Sequence, residues 1–357
     1  MQITINLHGI RIDHRPPESP GKVQSQSRLA GARRASHNEC CLRGVHPPVP
    51  ATRAGPLREL MSLPSVLTLI ADRKAGPLKP EAIDVARSLV KGKAPIVLSD
   101  GEAVDIPCPT PGPGSASAAT IRATLAPYQT DALLLKTRGR RKAVLVADMD
   151  STIVTGETLD EMAALLGIGE QVAAITRASM NGEIDFETSI EQRVALLAGH
   201  PASVLEEVWK TVTLTEGARE LVCTMRKHNA RTALVSGGFT WFTQKVAELC
   251  GFDENYGNSL EIVDGKMTGR LDAPVLGPDA KLSHLESLTA ERGVQLKAAL
   301  TTGDGANDIP MLANAGLGLA FHAKPNVKKI IGTQINFANL RAHLFAQGYK
   351  AADFVAD

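Results

Sequence analysis

Ala143-Val144-Leu145-Val146-Ala147 runs directly into Asp148-Met149-Asp150-Ser151-Thr152. Five apolar residues with no polar side predict a strand buried on both faces, as in a parallel sheet covered by helices. Two carboxylates follow where that strand should end. In an open α/β sheet the ligand crevice lies at the carboxyl ends of the strands. Successive side chains of extended backbone point oppositely, so Asp148 and Asp150 can face one site. One acid can attack or hold a metal while the other moves protons. The Ser151-Thr152 hydroxyl pair could meet an anion.

The same pattern recurs downstream. Residues 232–235 read as a second buried strand ending at Ser236-Gly237-Gly238. Residues 298–302 read as a third, ending at Gly303-Asp304-Gly305, and 317–320 as a fourth. Helices over 216–227, 240–250 and 280–291 separate them. Strands alternating with helices imply a parallel sheet with helices on both faces. Between 155 and 214 no strand pattern appears. That insert reads as several helices, a cap at about 156–214 over the strand ends. An Asp264-Gly265 turn predicts a hairpin over 262–267.

Upstream, 63–136 shows a different order. Short strands at 66–70, 96–98, 104–106 and 133–135 and helices at 80–90 and 118–125 give βαββαβ, a ferredoxin-like unit. Ser117 is a candidate N-cap for the second helix. Such a unit binds a small regulator or makes dimer contacts. Residues 137–142 form a basic linker, read as a solvated connection. Residues 1–62 carry no periodic apolar pattern. Residues 1–60 hold eight Arg and one Lys against four acids, with many Pro, Ser and Gly. They read as a disordered or non-native extension; a start at Met61, a transit peptide and a nucleic-acid-binding tail are the competing readings.

Composition narrows the class. A formal net charge of +1 gives no general argument for nucleic acid or membrane binding. Cys40, Cys41, Cys108, Cys223 and Cys250 show no CxxC or Cys/His metal spacing, which argues against a disulfide framework. No apolar run approaches the roughly 20 residues that span a bilayer. The expectation is a cytoplasmic protein without a nucleic-acid or membrane partner. His228, His284 and His322 have no spacing that suggests catalysis.

Asp148, Asp304 and Asp308 with Lys281 suit a hard divalent cation beside a phosphate. Asp148-Met149-Asp150-Ser151-Thr152, Ser236-Gly237-Gly238, Lys281 and Gly303-Asp304-Gly305-Ala306-Asn307-Asp308 resemble, in order, the motifs of the haloacid dehalogenase superfamily. Within it, 154–158, 180–193, Thr215-Glu216-Gly217 and 235–239 look like the phosphoserine phosphatase family. The resemblance runs from about 143 to 321. It implies an α/β fold: a haloacid-dehalogenase-like Rossmannoid parallel sheet over 143–357 with an inserted helical cap, plus an N-terminal ferredoxin-like, ACT-like α+β domain over 63–136.

The resemblance also implies roles. Asp148 would be the nucleophile and Asp150 the general acid/base. Mg²⁺ would be held by the Asp148 side chain, the Asp150 backbone carbonyl and Asp304, with Asp308 orienting metal-bound water. Ser236, Gly237, Lys281 and Asn307 would bind or support the phosphoryl group. Phe186, Ile190, Arg193 and Leu197 follow one helical stripe. An Arg on an apolar stripe needs an anionic partner or a route to solvent. In the resembling family it meets the substrate carboxylate, Glu157 receives the amino group, and Met180 and Phe186 close the pocket. The implied activity is hydrolysis of O-phospho-L-serine through an aspartyl phosphate, the final step of L-serine biosynthesis. Partner options are a homodimer and an amino-acid effector at 63–136. Competing readings are a phosphatase or phosphotransferase for another small phosphomonoester, and a sensor with an idle catalytic fold.

Overall fold

The computed structural model describes residues 63–180, 183–277 and 279–356. The expectations for 1–62 lie outside these residues. So does the side chain of Met180.

Two main sheets organise the described chain. The small one contains β1 (Ser65–Ala71), β2 (Ile96–Ser99), β3 (Ala103–Cys108) and β4 (Thr130–Lys136) in the order β2-β3-β1-β4, all antiparallel. Helices α1 (Pro80–Val90) and α2 (Ala118–Leu125) pack on one face through Ala82, Ala86, Ile121 and Leu125. This is the ferredoxin-like order. Ser117 caps α2, its hydroxyl accepting from the Thr120 N–H at 3.0 Å. Pro80 opens α1, where its missing N–H costs nothing.

The large sheet is parallel throughout, in the order β12-β11-β10-β5-β6-β7. Its strands are β5 (Val144–Ala147), β6 (Arg231–Phe239), β7 (Glu254–Asn258), β10 (Ala299–Gly303), β11 (Leu317–Phe321) and β12 (Gln334–Ile335). All four residues of β5 are buried. Their alternation feeds two cores. Leu145 and Ala147 join Leu234, Leu300 and Phe345 on one face. Val144 and Val146 join Ala233, Val235, Leu285 and Leu288 on the other. The chain leaves β5 for β6 on one side and later returns to β10 on the other. That reversal beside β5 is the switch point at which open α/β sheets form their crevice.

Helices α3 (Thr158–Leu165), α4 (Gly169–Met180), α5 (Phe186–Ala195) and α6 (Val204–Trp209) form the insert between β5 and β6. The core helices are α7 (Ala218–Lys227), α8 (Thr240–Cys250), α9 (Ala280–Glu291), α10 (Ile309–Asn314), α11 (Pro325–Ile330) and α12 (Ala342–Ala346). A hairpin of β8 (Leu260–Val263) and β9 (Lys266–Leu271) turns at Asp264 and Gly265, both with positive φ, as its Asp-Gly sequence predicts. No described helix is long and apolar enough to cross a membrane.

The inner strands β1 and β3 of the small sheet are buried on both faces, a departure from the usual solvated side of an antiparallel sheet. Every residue of β1 is buried. Ile70, Ala103 and Leu133 join the same core as Leu145. Charged groups seal the contact. The Asp131 carboxylate accepts from the backbone N–H groups of Asn336, Phe337 and Ala338 at 2.7, 3.0 and 2.8 Å. Arg341 pairs with Glu102 at 2.7 Å and also with Glu220. Residues 137–142 are therefore not a solvated connection along their whole length. The Arg140 side chain, only 10% exposed, lies 2.6 Å from Asp105 and donates to the Thr68 hydroxyl and the Phe345 carbonyl. The tertiary partner, not the local basic run, decides its environment.

His343 on α12 is fully buried behind the sheet, its Nε2 2.8 Å from Thr302 Oγ1 and its Nδ1 3.1 Å from the Leu340 carbonyl. Burial pushes its pKa down to about 3 from 6.5. The folded pKa lies below the unfolded one, so only the unfolded chain binds this proton between those values. Stability is complete above pH 6.5 and is lost as pH falls, with a slope approaching about 1.4 kcal/mol per pH unit from this group. Thermal melts at pH 6.5 and 5.0 should show a smaller difference for His343→Gln than for the native chain. An unchanged difference would contradict the assignment.

Candidate active site

Asp148 leaves β5 with its N–H bonded to the Thr302 carbonyl of β10 at 3.0 Å. Asp148 and Asp150 both keep extended backbone, and both line one cavity of about 790 Å³. Met149 between them turns into the core and is fully buried. The two acids thus share one cavity as expected, although the backbone at Met149 between them is helical rather than extended. Ser151 then takes a positive φ of 53°, uncommon for a residue with a side chain, and the chain folds back. The fold-back removes the expected hydroxyl pair from the cavity lining. The Ser151 hydroxyl donates to Glu157 Oε1 at 2.8 Å, and Thr152 is fully buried, its hydroxyl without a hydrogen-bond partner among the described residues.

Three strand ends converge. Asp304 follows β10, and Asp308 lies one turn later. Carboxylate oxygens of Asp148, Asp304 and Asp308 all lie within 4.8 Å of one another, and the three side chains are buried. Lys281 on α9 reaches between them, with Nζ 2.6 Å from Asp148 Oδ1 and 2.5 Å from Asp308 Oδ1. Asp308 also accepts the Gly305 N–H at 2.9 Å. Burial, Asp308 and Asp304 push the Asp148 pKa well up, against the pull of Lys281. Burial lowers the Lys281 pKa, but Asp148 and Asp308 outweigh it and hold the ammonium charged.

The donor set suits a hard divalent cation: carboxylate oxygens, close together, with no soft ligand among them. Asp308 belongs to this cluster together with Asp148 and Asp304. The Asp150 carboxylate points elsewhere. It accepts the Thr158 N–H at 2.9 Å and lies 3.3 Å from the Ser236 hydroxyl. Burial, with Glu157 adding to it, raises the Asp150 pKa to about 6.

Ser236 ends the buried run of β6, and half-buried Gly237 follows it. The Ser236 hydroxyl accepts the Gly238 N–H at 2.9 Å, and the Asn258 side-chain amide donates to the Gly237 carbonyl at 2.8 Å. Asn307, Phe186, Arg193 and Glu157 line the cavity with them. Phe186 approaches so closely that a Cβ on Gly237 would lie 3.1 Å from its ring. Arg193 is bonded to the Ser189 carbonyl by Nε at 3.3 Å, and among the described residues no carboxylate lies within ion-pair distance of it. Burial lowers its pKa; Asp160, Glu157 and Asp150 supply the balancing field.

Lys324 and Asp160 also line the cavity, outside the motifs that mark the other residues. Lys324 lies three residues past β11, so the strand-end rule that located the other groups would have located it. Asp160 follows Glu157 by one helical turn and carries no separate signal.

The haloacid dehalogenase-like hydrolase family model matches residues 145–313. A phosphoserine phosphatase of Lactococcus lactis subsp. lactis is 40% identical over 199 residues, covering 56% of this chain and 92% of that protein. The chain belongs to the phosphoserine phosphatase family of haloacid dehalogenase-like hydrolases. Another member of the family, from Archaeoglobus fulgidus, is 41% identical over 204 residues, or 57% of this chain. The match spans only 59% of that longer relative. The family is also represented by a solved phospho-aspartyl intermediate analogue of phosphoserine phosphatase. It superposes with a TM-score of 0.54 at 39% identity, covering 57% of this chain and 98% of that one.

Gly303 has to be glycine for the acid cluster to form. A Cβ there would overlap the Asp308 carboxylate. Gly303→Ala is expected to displace Asp308, destabilise the fold by about 1–3 kcal/mol, and weaken divalent-cation binding. Thermal melts with and without Mg²⁺ check this; native values for both would contradict it.

Proposed function

We propose that the chain is a Mg²⁺-dependent phosphatase that hydrolyses O-phospho-L-serine to L-serine and phosphate, the final step of L-serine biosynthesis. The observation that carries the substrate reading is Arg193. Its guanidinium lines the cavity with no carboxylate of the described residues within ion-pair distance, so a substrate carboxylate would complete it. Glu157, at the same cavity, is an acceptor for the substrate ammonium. Together the two read an amino acid rather than a generic phosphate ester. Phe186 and Met180 are proposed to close over it.

In the proposed reaction an Asp148 carboxylate oxygen attacks phosphorus. One Asp148–phosphorus bond forms, the bond from phosphorus to the serine oxygen breaks, and Asp150 gives its proton to that leaving oxygen. Asp150, now ionised, then takes a proton from water as the water oxygen attacks the phosphoryl group. Phosphate leaves and the Asp148 carboxylate is restored. A pKa raised to about 6 suits a group that must donate and then accept near neutrality. The Ser236 hydroxyl, the Gly237 N–H and Lys281 would hold the phosphoryl oxygens, with Asn307 in support. Asp148, Asp304 and the Asp150 carbonyl, with Asp308 beside them, would hold Mg²⁺. That ion would neutralise phosphoryl charge when bound. The covalent reading is supported by the similarity to the phospho-aspartyl intermediate analogue.

Phosphate release from L-phosphoserine should need Mg²⁺ and should vanish in Asp148→Asn. Arg193→Ala should lower kcat/KM on phosphoserine by about a hundredfold, the scale of a broken charge pair. The loss on p-nitrophenyl phosphate, which has no carboxylate beside its ester, should be far smaller. Equal losses on both substrates would contradict the amino-acid reading.

A further inference from the structure

Lys324 contacts two acids that line the cavity. Its Nζ lies 3.3 Å from Asp304 Oδ2 and 3.9 Å from Glu157 Oε1. Its backbone is pinned there: the Lys324 N–H donates to the Asp304 carbonyl at 3.0 Å, and Pro325 begins α11. The preceding residues are braced as well. His322 Nε2 lies 2.8 Å from the Ala338 carbonyl, in the stretch whose N–H groups Asp131 holds.

Lys281 and Lys324 differ in kind. Lys281 is buried and makes contacts of 2.5 and 2.6 Å to its two acids. Lys324 makes longer contacts, and 40% of its side chain is exposed. Its anchor is the backbone, and the four-carbon stem leaves the ammonium free to swing. Lys281 is therefore a fixed part of the cluster and Lys324 a removable one.

We propose that Lys324 is a displaceable counter-ion that competes with the divalent cation for Asp304 and lowers the site's affinity for that cation until an anionic substrate draws the ammonium away. The proposal rests on the reading of Asp148, Asp304 and Asp308 as the cation site. A unit positive charge on Asp304 occupies one acceptor oxygen and repels an incoming dication over a few ångströms. A phosphate ester entering the cavity offers the ammonium another partner and relieves that competition. Cation and substrate binding are then coupled through Lys324, each strengthening the other.

Calorimetric titration with MgCl₂ alone, without substrate, tests this on the full chain. Lys324→Met should bind Mg²⁺ about tenfold more tightly than the native chain. Lys324→Arg keeps the charge and should stay near the native affinity. Repeating the titration with saturating inorganic phosphate should tighten Mg²⁺ binding more in the native chain than in Lys324→Met. Equal or weaker Mg²⁺ binding by Lys324→Met, in protein whose melting shows it folded, would overturn the proposal. Absence of Mg²⁺ binding in all folded variants and the native chain would instead remove the cation-site reading beneath it.

Discussion

Lys281 reaches two acids at once, and the site depends on that reach. Three carboxylates within 4.8 Å of one another cannot all stay ionised in a buried setting without a cation. One ammonium, 2.6 Å from Asp148 and 2.5 Å from Asp308, supplies part of that balance. Its own burial is tolerable for the same reason, since each partner offsets the other's desolvation. The remaining negative charge is what suits the cluster to a divalent cation.

The sheet places these groups by topology rather than by local chemistry. β5 is the central strand at which the connection reverses, so its carboxyl end, with those of β6 and β10, opens onto a single cavity. Gly303 lets the Asp308 carboxylate pack against the end of β10. The small sheet lies behind this arrangement and braces it. Asp131 gathers three N–H groups from the stretch that His322 also contacts, and Arg341 ties the C-terminal segment to Glu102.

Much of the site's framework was legible because it follows from continuous apolar runs. Val144–Ala147 could be read as a buried strand, and Asp148, Ser236 and Asp304 as groups at strand ends, without any tertiary information. Other parts left no such trace. β7 has the sequence Glu-Asn-Tyr-Gly-Asn, and four of its five residues are only half-buried, so no apolar run marks it. β12 is two residues long. The second buried face of the small sheet, and the burial of Arg140 in a basic run, depend on partners 35 or more residues away. The Ser151-Thr152 hydroxyls were misplaced because the positive φ at Ser151 is a tertiary outcome. Lys324 obeys the strand-end rule, but no motif contains it.

The central claim is that Asp148 carries the phosphoryl group between substrate and water. Rapid acid quench of the chain with Mg²⁺ and phosphoserine labelled with ³²P tests it most directly. The account predicts transient label on the polypeptide, released by hydroxylamine and confined to the peptide containing Asp148. Turnover of phosphoserine with no label on the chain at any quench time would contradict it.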